Sequence, residues 1–239
     1  MRKVVIGIQA RSASTRLPNK IHLQIGGKSI LQSVIDTCQE ASKYLQKDKD
    51  RLNASFFCCV LMPEKDPGVD IYKNQITVLE GSSNDVLSRY IMAQKHFDAD
   101  YVARITSDCF FLQSHLIAKH IKSALIKERD YTTNCLIRTF KEGMDVQVFS
   151  RRLMAWLEKN SIKAFDKEHV GAILHDPNQK FPFKDREGRP SVCHILNTFD
   201  ESEYKTSIDT KEEFDKAKWI NEKFKKSKDL ARRTGIFIT

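Results

Sequence analysis

No apolar run in the 239-residue chain approaches the roughly 18 residues needed to cross a bilayer. Met1-Arg2-Lys3 passes into a strand-like run without the longer apolar stretch of a signal peptide. Both absences point to a soluble, cytoplasmic protein with no membrane partner. The six cysteines, Cys38, Cys58, Cys59, Cys109, Cys135 and Cys193, include no C-x-x-C pair, and several lie in apolar runs where Cys behaves as a small hydrophobe. Structural zinc and disulfides are therefore not expected. Internal repeats, low-complexity segments and a Walker-type phosphate loop are also lacking. What is present is a chain 41% hydrophobic, long enough for one substantial core. Its net charge of +9, from 40 Lys and Arg against 31 Asp and Glu, suits a polyanionic ligand.

Strand-like and helix-like patterns alternate along the chain. Lys3 to Gln9, Ser55 to Met62, Ile76 to Leu79 and Tyr101 to Ile105 read as strands, followed by shorter ones at Tyr131 to Thr133 and Val146 to Phe149. Ser29 to Leu45, Asn84 to Phe97 with Ser83 or Asn84 as cap, Leu116 to Ile126 and Lys211 to Lys226 read as helices. Lys43 to Arg51 and Lys180 to Arg189 are charged, poorly periodic and read as surface loops. Such alternation predicts an α/β fold, a three-layer, mainly parallel sheet with helices on both faces.

The first strand empties into Gln9-Ala10-Arg11-Ser12-Ala13-Ser14-Thr15-Arg16-Leu17-Pro18-Asn19-Lys20, a loop of small residues carrying three cations. Parallel sheets bind ligands beyond the carboxyl ends of their strands. There the guanidinium forks of Arg11 and Arg16, the ammonium of Lys20 and the backbone around Ser12 suit a triphosphate. An ordinary βα loop with solvated cations fits the spacing equally well. Asp108 follows the Tyr101 strand, and so should face the same edge; Asp209 precedes the last helix. A carboxylate pair there suits magnesium, but Asp108 could equally cap a loop, and Asp209 or Thr210 could cap the helix. In Gly81-Ser82-Ser83-Asn84-Asp85, free N–H groups and short polar side chains could meet a base or ribose. The same segment could simply be a capped turn, with Arg89 pairing with Asp85.

The loop after the first strand and the segments Gly81 to Tyr90, Arg104-Ile105-Thr106-Ser107-Asp108-Cys109, Glu142 to Ser150, Lys167-Glu168-His169-Val170 and Ser207-Ile208-Asp209-Thr210 occur in an order that resembles the spore-coat polysaccharide type cytidylyltransferases, relatives of the CMP-sialic acid and CMP-ketodeoxyoctonate synthetases. The resemblance spans nearly the whole chain. Ala13 and Asn19 stand where that family usually has Gly, and Phe110 where Pro follows the Asp-Cys pair. The resemblance implies a nucleotide-diphospho-sugar transferase, Rossmann-like fold over residues 1–239, with 131–200 as a small inserted strand-and-loop part for the acceptor site and a homodimer contact. It also implies transfer of CMP from CTP to an acidic or amino sugar, with release of pyrophosphate, for surface polysaccharide or glycan precursors. Arg11, Arg16 and Lys20 would be catalytic, and Gln9, Ala10, Ser12, Gly81, Ser82 and Asp85 would bind the nucleotide. Asp108 and Asp209 would hold Mg2+, and Glu142, Asp145, Glu168 and His169 would face the sugar. The alternatives are a UTP- or GTP-using relative and a non-catalytic module binding a nucleotide-sugar or RNA. Lys223, Lys225, Lys226, Lys228, Arg232 and Arg233 form a basic cluster that reads as a solvated helix face, so nucleic acid is not the expected partner. Asp98-Ala99-Asp100 mimics a glycosyltransferase metal motif but precedes its strand, and so reads as a turn at the far edge.

Overall fold

The computed structural model describes residues 1–176 and 191–234, with side chains to residue 225. Its strands are β1 (Arg2–Gln9), β2 (Gln24–Ile25), β3 (Lys28–Ser29), β4 (Ala54–Pro63), β5 (Thr77–Gly81), β6 (Tyr101–Thr106), β7 (Tyr131–Thr133), β8 (Gln147–Ser150) and β9 (Val192–His194). The helices are α1 (Ile30–Gln46), α2 (Lys49–Leu52), α3 (Gly68–Tyr72), α4 (Val86–Phe97), α5 (Ser114–Lys127), α6 (Arg151–Asn160), α7 (Ala164–Glu168) and α8 (Lys211–Thr234).

Val4, Val5, Ile6 and Ile8 of β1 are fully buried, which requires cover on both faces. Val4, Ile6 and Ile8 join the cluster that includes α1 and α5, while Val5 faces the one formed by α4 and α6. On that second face Gly7 has no side chain to spare room for: a Cβ there would stand 2.9 Å from Tyr90 Cε1. The bare backbone lets the buried Tyr90 ring lie on β1 and donate its hydroxyl to the Ile105 carbonyl at 3.1 Å.

The seven-stranded order is β5-β4-β1-β6-β8-β7-β9. From β1 the chain builds β4 and β5 on one side, then crosses to place β6 on the other; Gln9 pairs with Leu61 and with Thr106. The order reverses between β1 and β6, and there a crevice opens at the carboxyl edge. Beyond β6, β8 runs antiparallel to both its neighbours, and β7 and β9 are parallel. The α/β architecture predicted from alternation is thus present. The strands from 131–200 extend this same sheet. A third cluster, Leu17, Ile25, Ile30, Ile208, Phe214 and Ala217, fastens the loop after β1 to the segment that enters α8.

Several boundaries differ from the sequence reading. Asp85, not Ser83 or Asn84, caps α4, its carboxylate accepting the Ser88 amide at 2.8 Å. The expected loop at Lys43 to Arg51 is largely helical, because Ala41, Leu45 and Leu52 carry the buried stripe through a charged sequence. Helix α6, absent from the sequence reading, buries Leu153, Met154, Trp156 and Leu157 behind the cap Ser150. Asp98 sits in the left-handed region as the C-cap of α4, and the Asp100 carboxylate accepts the Lys3 amide at 2.8 Å, so the triplet is a turn at the opposite edge from the crevice. Lys180 to Arg189 and the side chains of Lys226, Lys228, Arg232 and Arg233 lie outside the described residues. Among the described residues no helix is long and apolar enough to cross a membrane.

Candidate active site

A cleft of about 260 Å3 opens where β1 and β6 end, lined by residues of the loop after β1, by Arg104, Thr106 and Asp108, by Glu168 and His169, and by Asp209. The loop is held by its own backbone. The Ala10 amide donates to Leu61 O at 3.0 Å, and Ser12 donates its amide at 2.8 Å and its hydroxyl at 2.6 Å to Asp66. The other side of Ser12 Oγ meets His22 Nε2 at 2.9 Å, and His22 stacks on Tyr72. Burial lowers the His22 pKa against the opposing charge of Asp66, which favours the neutral ring. Both donors of Ser12, expected to meet a nucleotide, are therefore taken by Asp66. Asn19 has φ 53°, the left-handed conformation that Gly adopts freely and Asn tolerates, so this departure from the family pattern keeps the backbone course. Ala13 is not in that region, and Phe110 packs edge-on to Phe111 at 5.0 Å beside the third cluster.

Asp108 and Asp209 arrive from opposite sides. Thr106 Oγ1 donates to Asp108 Oδ1 at 2.6 Å, and the Ile208 amide donates to the Asp108 carbonyl at 3.1 Å, which joins the two segments. Thr210 and Glu213 form a reciprocal capping box at the start of α8: Thr210 Oγ1 accepts the Glu213 amide, and Glu213 Oε2 accepts the Thr210 and Asp209 amides. Thr210 is thus the cap, and the Asp209 carboxylate is free to face the cleft. Lys20 Nζ bridges the two aspartates, 3.3 Å from Asp108 Oδ2 and 3.0 Å from Asp209 Oδ1. Arg16 at 3.1 Å and Lys205 at 3.2 Å also approach Asp209. Burial alone would raise the Asp209 pKa, but Lys20, Lys205 and Arg16 outweigh it and hold the carboxyl below its usual value. Two hard oxygen donors converging on one cation fit a divalent ion such as Mg2+, with water and phosphate completing its shell. No third acidic, His or Cys group joins them among the described residues.

Of the other expected residues, Gln9, Ala10, Arg11, Glu168 and His169 line the cleft, and Arg11 Nη2 stands 3.5 Å from Glu168 Oε1. Gly81, Ser82 and Asp85 do not line it. Asp85 caps α4 and lies 3.7 Å from Lys167 Nζ. Gly81 makes room for Arg89, whose Cγ would stand 2.9 Å from an added Cβ. Arg89 turns inward rather than pairing with Asp85, and donates to Leu61 O at 3.1 Å and Ala10 O at 3.4 Å beneath the loop. Burial lowers its pKa.

Glu142 and Asp145 also fall outside the cleft lining. Asp145 accepts a two-pronged bond from Arg138 at 2.6 and 3.1 Å, and the Glu142 carboxylate stands 3.6 Å from Lys205. Their motif instead seats Asp209: the Glu142 carbonyl accepts the Thr206 amide at 2.7 Å. Gly143, at φ 95°, passes so close that a Cβ would lie 2.3 Å from the Ser207 nitrogen. Asp66, Arg104 and Lys205 are site residues that the sequence does not mark as such, and Arg89 departs from the alternative in which it pairs with Asp85. Arg104 stands in the sequence as a charge inside the apolar run Tyr101 to Thr106, at the start of a segment that carries the family resemblance.

Residues 4–233 match the family described as cytidylyltransferase. The chain is similar to the spore coat polysaccharide biosynthesis protein SpsF of Bacillus subtilis, 25% identical over 236 residues, 97% of this chain and 91% of that protein. The structure of a cytidylyltransferase from Leptospira borgpetersenii superposes with a TM-score of 0.77 at 29% identity, over 91% of this chain and 86% of that one. CMP:2-keto-3-deoxy-manno-octonic acid synthetase complexed with CTP shares the fold, with a TM-score of 0.63 at 11% identity over 92% and 99% of the two chains.

Proposed function

From the chain's membership of the cytidylyltransferase family, which makes it a nucleotidyltransferase, we propose that it transfers CMP from CTP to a sugar and releases pyrophosphate. The observation that carries this reading is the convergence of Asp108, Asp209 and Lys20 at the switch point of the sheet, beside Arg11 and Arg16. An acceptor oxygen attacks the α-phosphorus in line, forming a new P–O bond as the bond to the bridging α–β oxygen breaks. Arg11, Arg16 and Lys20 bind the triphosphate and stabilise the charge that builds on departing pyrophosphate. Asp108 and Asp209 would hold Mg2+, which supplies charge neutralisation at the phosphoryl oxygens. Glu168 and His169, across the cleft, accept or donate hydrogen bonds to the sugar hydroxyls. The Gly81–Asp85 segment takes part through Arg89 and the α4 cap, and Glu142 through the seat of Asp209, while Asp145 anchors Arg138. The similarity to a spore coat polysaccharide biosynthesis protein supports a role in polysaccharide precursor synthesis, and within this proposal the acceptor is an acidic or amino sugar.

Pyrophosphate release measured with each of the four nucleoside triphosphates, against a panel of keto-acid and amino sugars, tests the reading. Turnover is expected with CTP and magnesium. CTP is also expected to raise the melting temperature more than ATP, GTP or UTP, because a ligand bound only by the native state stabilises it by about 2.7 kcal/mol at a hundred times its Kd. A larger shift with UTP or GTP overturns the base.

A further inference from the structure

Each cation of the loop after β1 that lines the cleft already has a carboxylate within reach: Arg11 has Glu168, Arg16 has Asp209, and Lys20 has both aspartates. Arg104 differs. It lines the same cleft, yet among the described residues no carboxylate stands within 4.0 Å of its guanidinium. It is held by two neutral amides instead. Nε donates to Gln9 Oε1 at 3.0 Å, and Nη1 donates to Gln147 Oε1 at 2.5 Å.

Those amides are themselves fixed. The Tyr90 hydroxyl, on a fully buried ring, lies 3.3 Å from Gln9 Oε1 and shares its one proton between that oxygen and the Ile105 carbonyl, and Gln147 Nε2 donates to the Tyr131 hydroxyl. Tyr131 is wholly buried and stacks on Phe149. β6 and β8 place Arg104 directly opposite Gln147 in their register. The result is a guanidinium oriented by a rigid chain of hydrogen bonds that supplies no negative charge. Arg has five donors, and only two bonds to protein are present here, so the rest of the fork has no protein acceptor among the described residues. The remaining donors face the open cleft, where an oxyanion can take the place of solvent on them.

We propose that Arg104 is a substrate-binding residue that receives an oxyanion, through the planar fork that suits phosphate and carboxylate oxygens. The inference rests on the reading of the cleft as the nucleotidyl-transfer site. The oxyanion belongs either to the α-phosphoryl group of the nucleotide or to a carboxylate on the acceptor, and binding measurements separate the two.

The test uses the full chain with Arg104→Gln, and with Gln147→Glu, which leaves the arginine in place but sets a carboxylate against it. Calorimetry with cytidine, CMP and CTP, and kinetics with a 3-deoxy-2-keto sugar acid as acceptor, supply the readouts. If the nucleotide is the source, R104Q weakens CMP and CTP at least tenfold and leaves cytidine unchanged. If the acceptor is the source, CMP and CTP are unchanged and the KM for the sugar acid rises at least tenfold. In either case Q147E shows the same pattern to a smaller degree. The proposal is overturned if no affinity moves, or if cytidine weakens in step with CMP, which is the mark of a merely structural arginine. Should the wild type prefer another nucleotide, the base assignment falls while the same comparison, run with that nucleoside and its monophosphate, still decides the role of Arg104.

Discussion

From β5 to β6 the sheet is parallel and its buried side chains are almost all apolar, whereas around β8, β7 and β9 the buried set includes Asp130, Thr132, Thr133, Asn134, Gln147 and Ser150. The first half is held by area removed from water, which is non-directional and tolerant of exchange among apolar residues of similar volume. The second is held by hydrogen bonds that fix particular atoms, and a bond of that kind is costly to leave unmade. The cleft draws on both. Asp108 extends from the parallel half, Asp209 from a segment seated against the Glu142-Gly143 turn, and Lys20 holds the two together.

The largest test of this contrast pairs two glycines. At Gly143 an added Cβ meets backbone at 2.3 Å and a strained φ, whereas at Gly7 it meets the edge of the Tyr90 ring at 2.9 Å. Gly143→Ala is expected to lower stability by roughly 4 kcal/mol and to cut turnover beyond what unfolding explains, since Asp209 is displaced. Gly7→Ala should cost less. Urea denaturation and pyrophosphate release report both, and equal losses would erase the distinction between the halves.

Lys20→Ala removes the cation that joins the halves. Its kcat should fall about a hundredfold or more, on the order of 3 to 4 kcal/mol, with the sugar KM little changed. A normal kcat with a raised sugar KM would move the loop to the acceptor side.

A buried polar group in the apolar half should behave as a liability in acid. His120 on α5 is wholly buried, and burial lowers its pKa to about 4. Because the native state binds this proton less well than the unfolded chain, its contribution to stability is full above about pH 6.5 and is lost as pH falls toward 4, on the order of 3 kcal/mol. Unfolding free energies measured across that window should decline for the wild type and flatten for His120→Leu.

The smallest effect belongs to the polar half. Asp130 accepts bonds from Ser150, Ser191 and Arg152. Burial acts to raise its pKa, but these partners outweigh it and hold the carboxyl low. Its contribution is therefore present above about pH 4 and lost below. Asp130→Asn should cost about 2 kcal/mol at neutral pH and remove that acid-sensitive part of the curve. An unchanged midpoint in denaturant would show that the network is not what holds this edge.

The same contrast explains how much was legible in the sequence. The parallel strands and the stripes of α1, α4 and α5 follow from apolar periodicity; the loop cations and Asp108 follow from their places after strands, and Asp209 from its place before the last helix. For Arg89 the i, i+4 spacing offers Asp85 as a partner, and what sequence does not show is that Gly81 opens an inward path for its side chain. Asp66 could not be tied to Ser12 from spacing, since their contact spans 54 residues and depends on the register of β1 with β4. The polar network was hidden for a related reason: hydrogen bonds that hold a sheet edge leave no periodic trace in sequence. Helix α6 is different, since Leu153, Met154, Trp156 and Leu157 behind the cap Ser150 do form a helical stripe, and it was legible though short.

The close passage of Gly143 against Ser207 bears on how such a chain could be recombined. Residues around 142 and residues 204–207 share carbonyls and amides as one knot of main chain. A graft that exchanged 131–200 with a relative would cut through that knot. The exchangeable unit is longer: the donor's stretch through Asp209 must travel with it, or the recipient loses one of the two aspartates that meet Lys20.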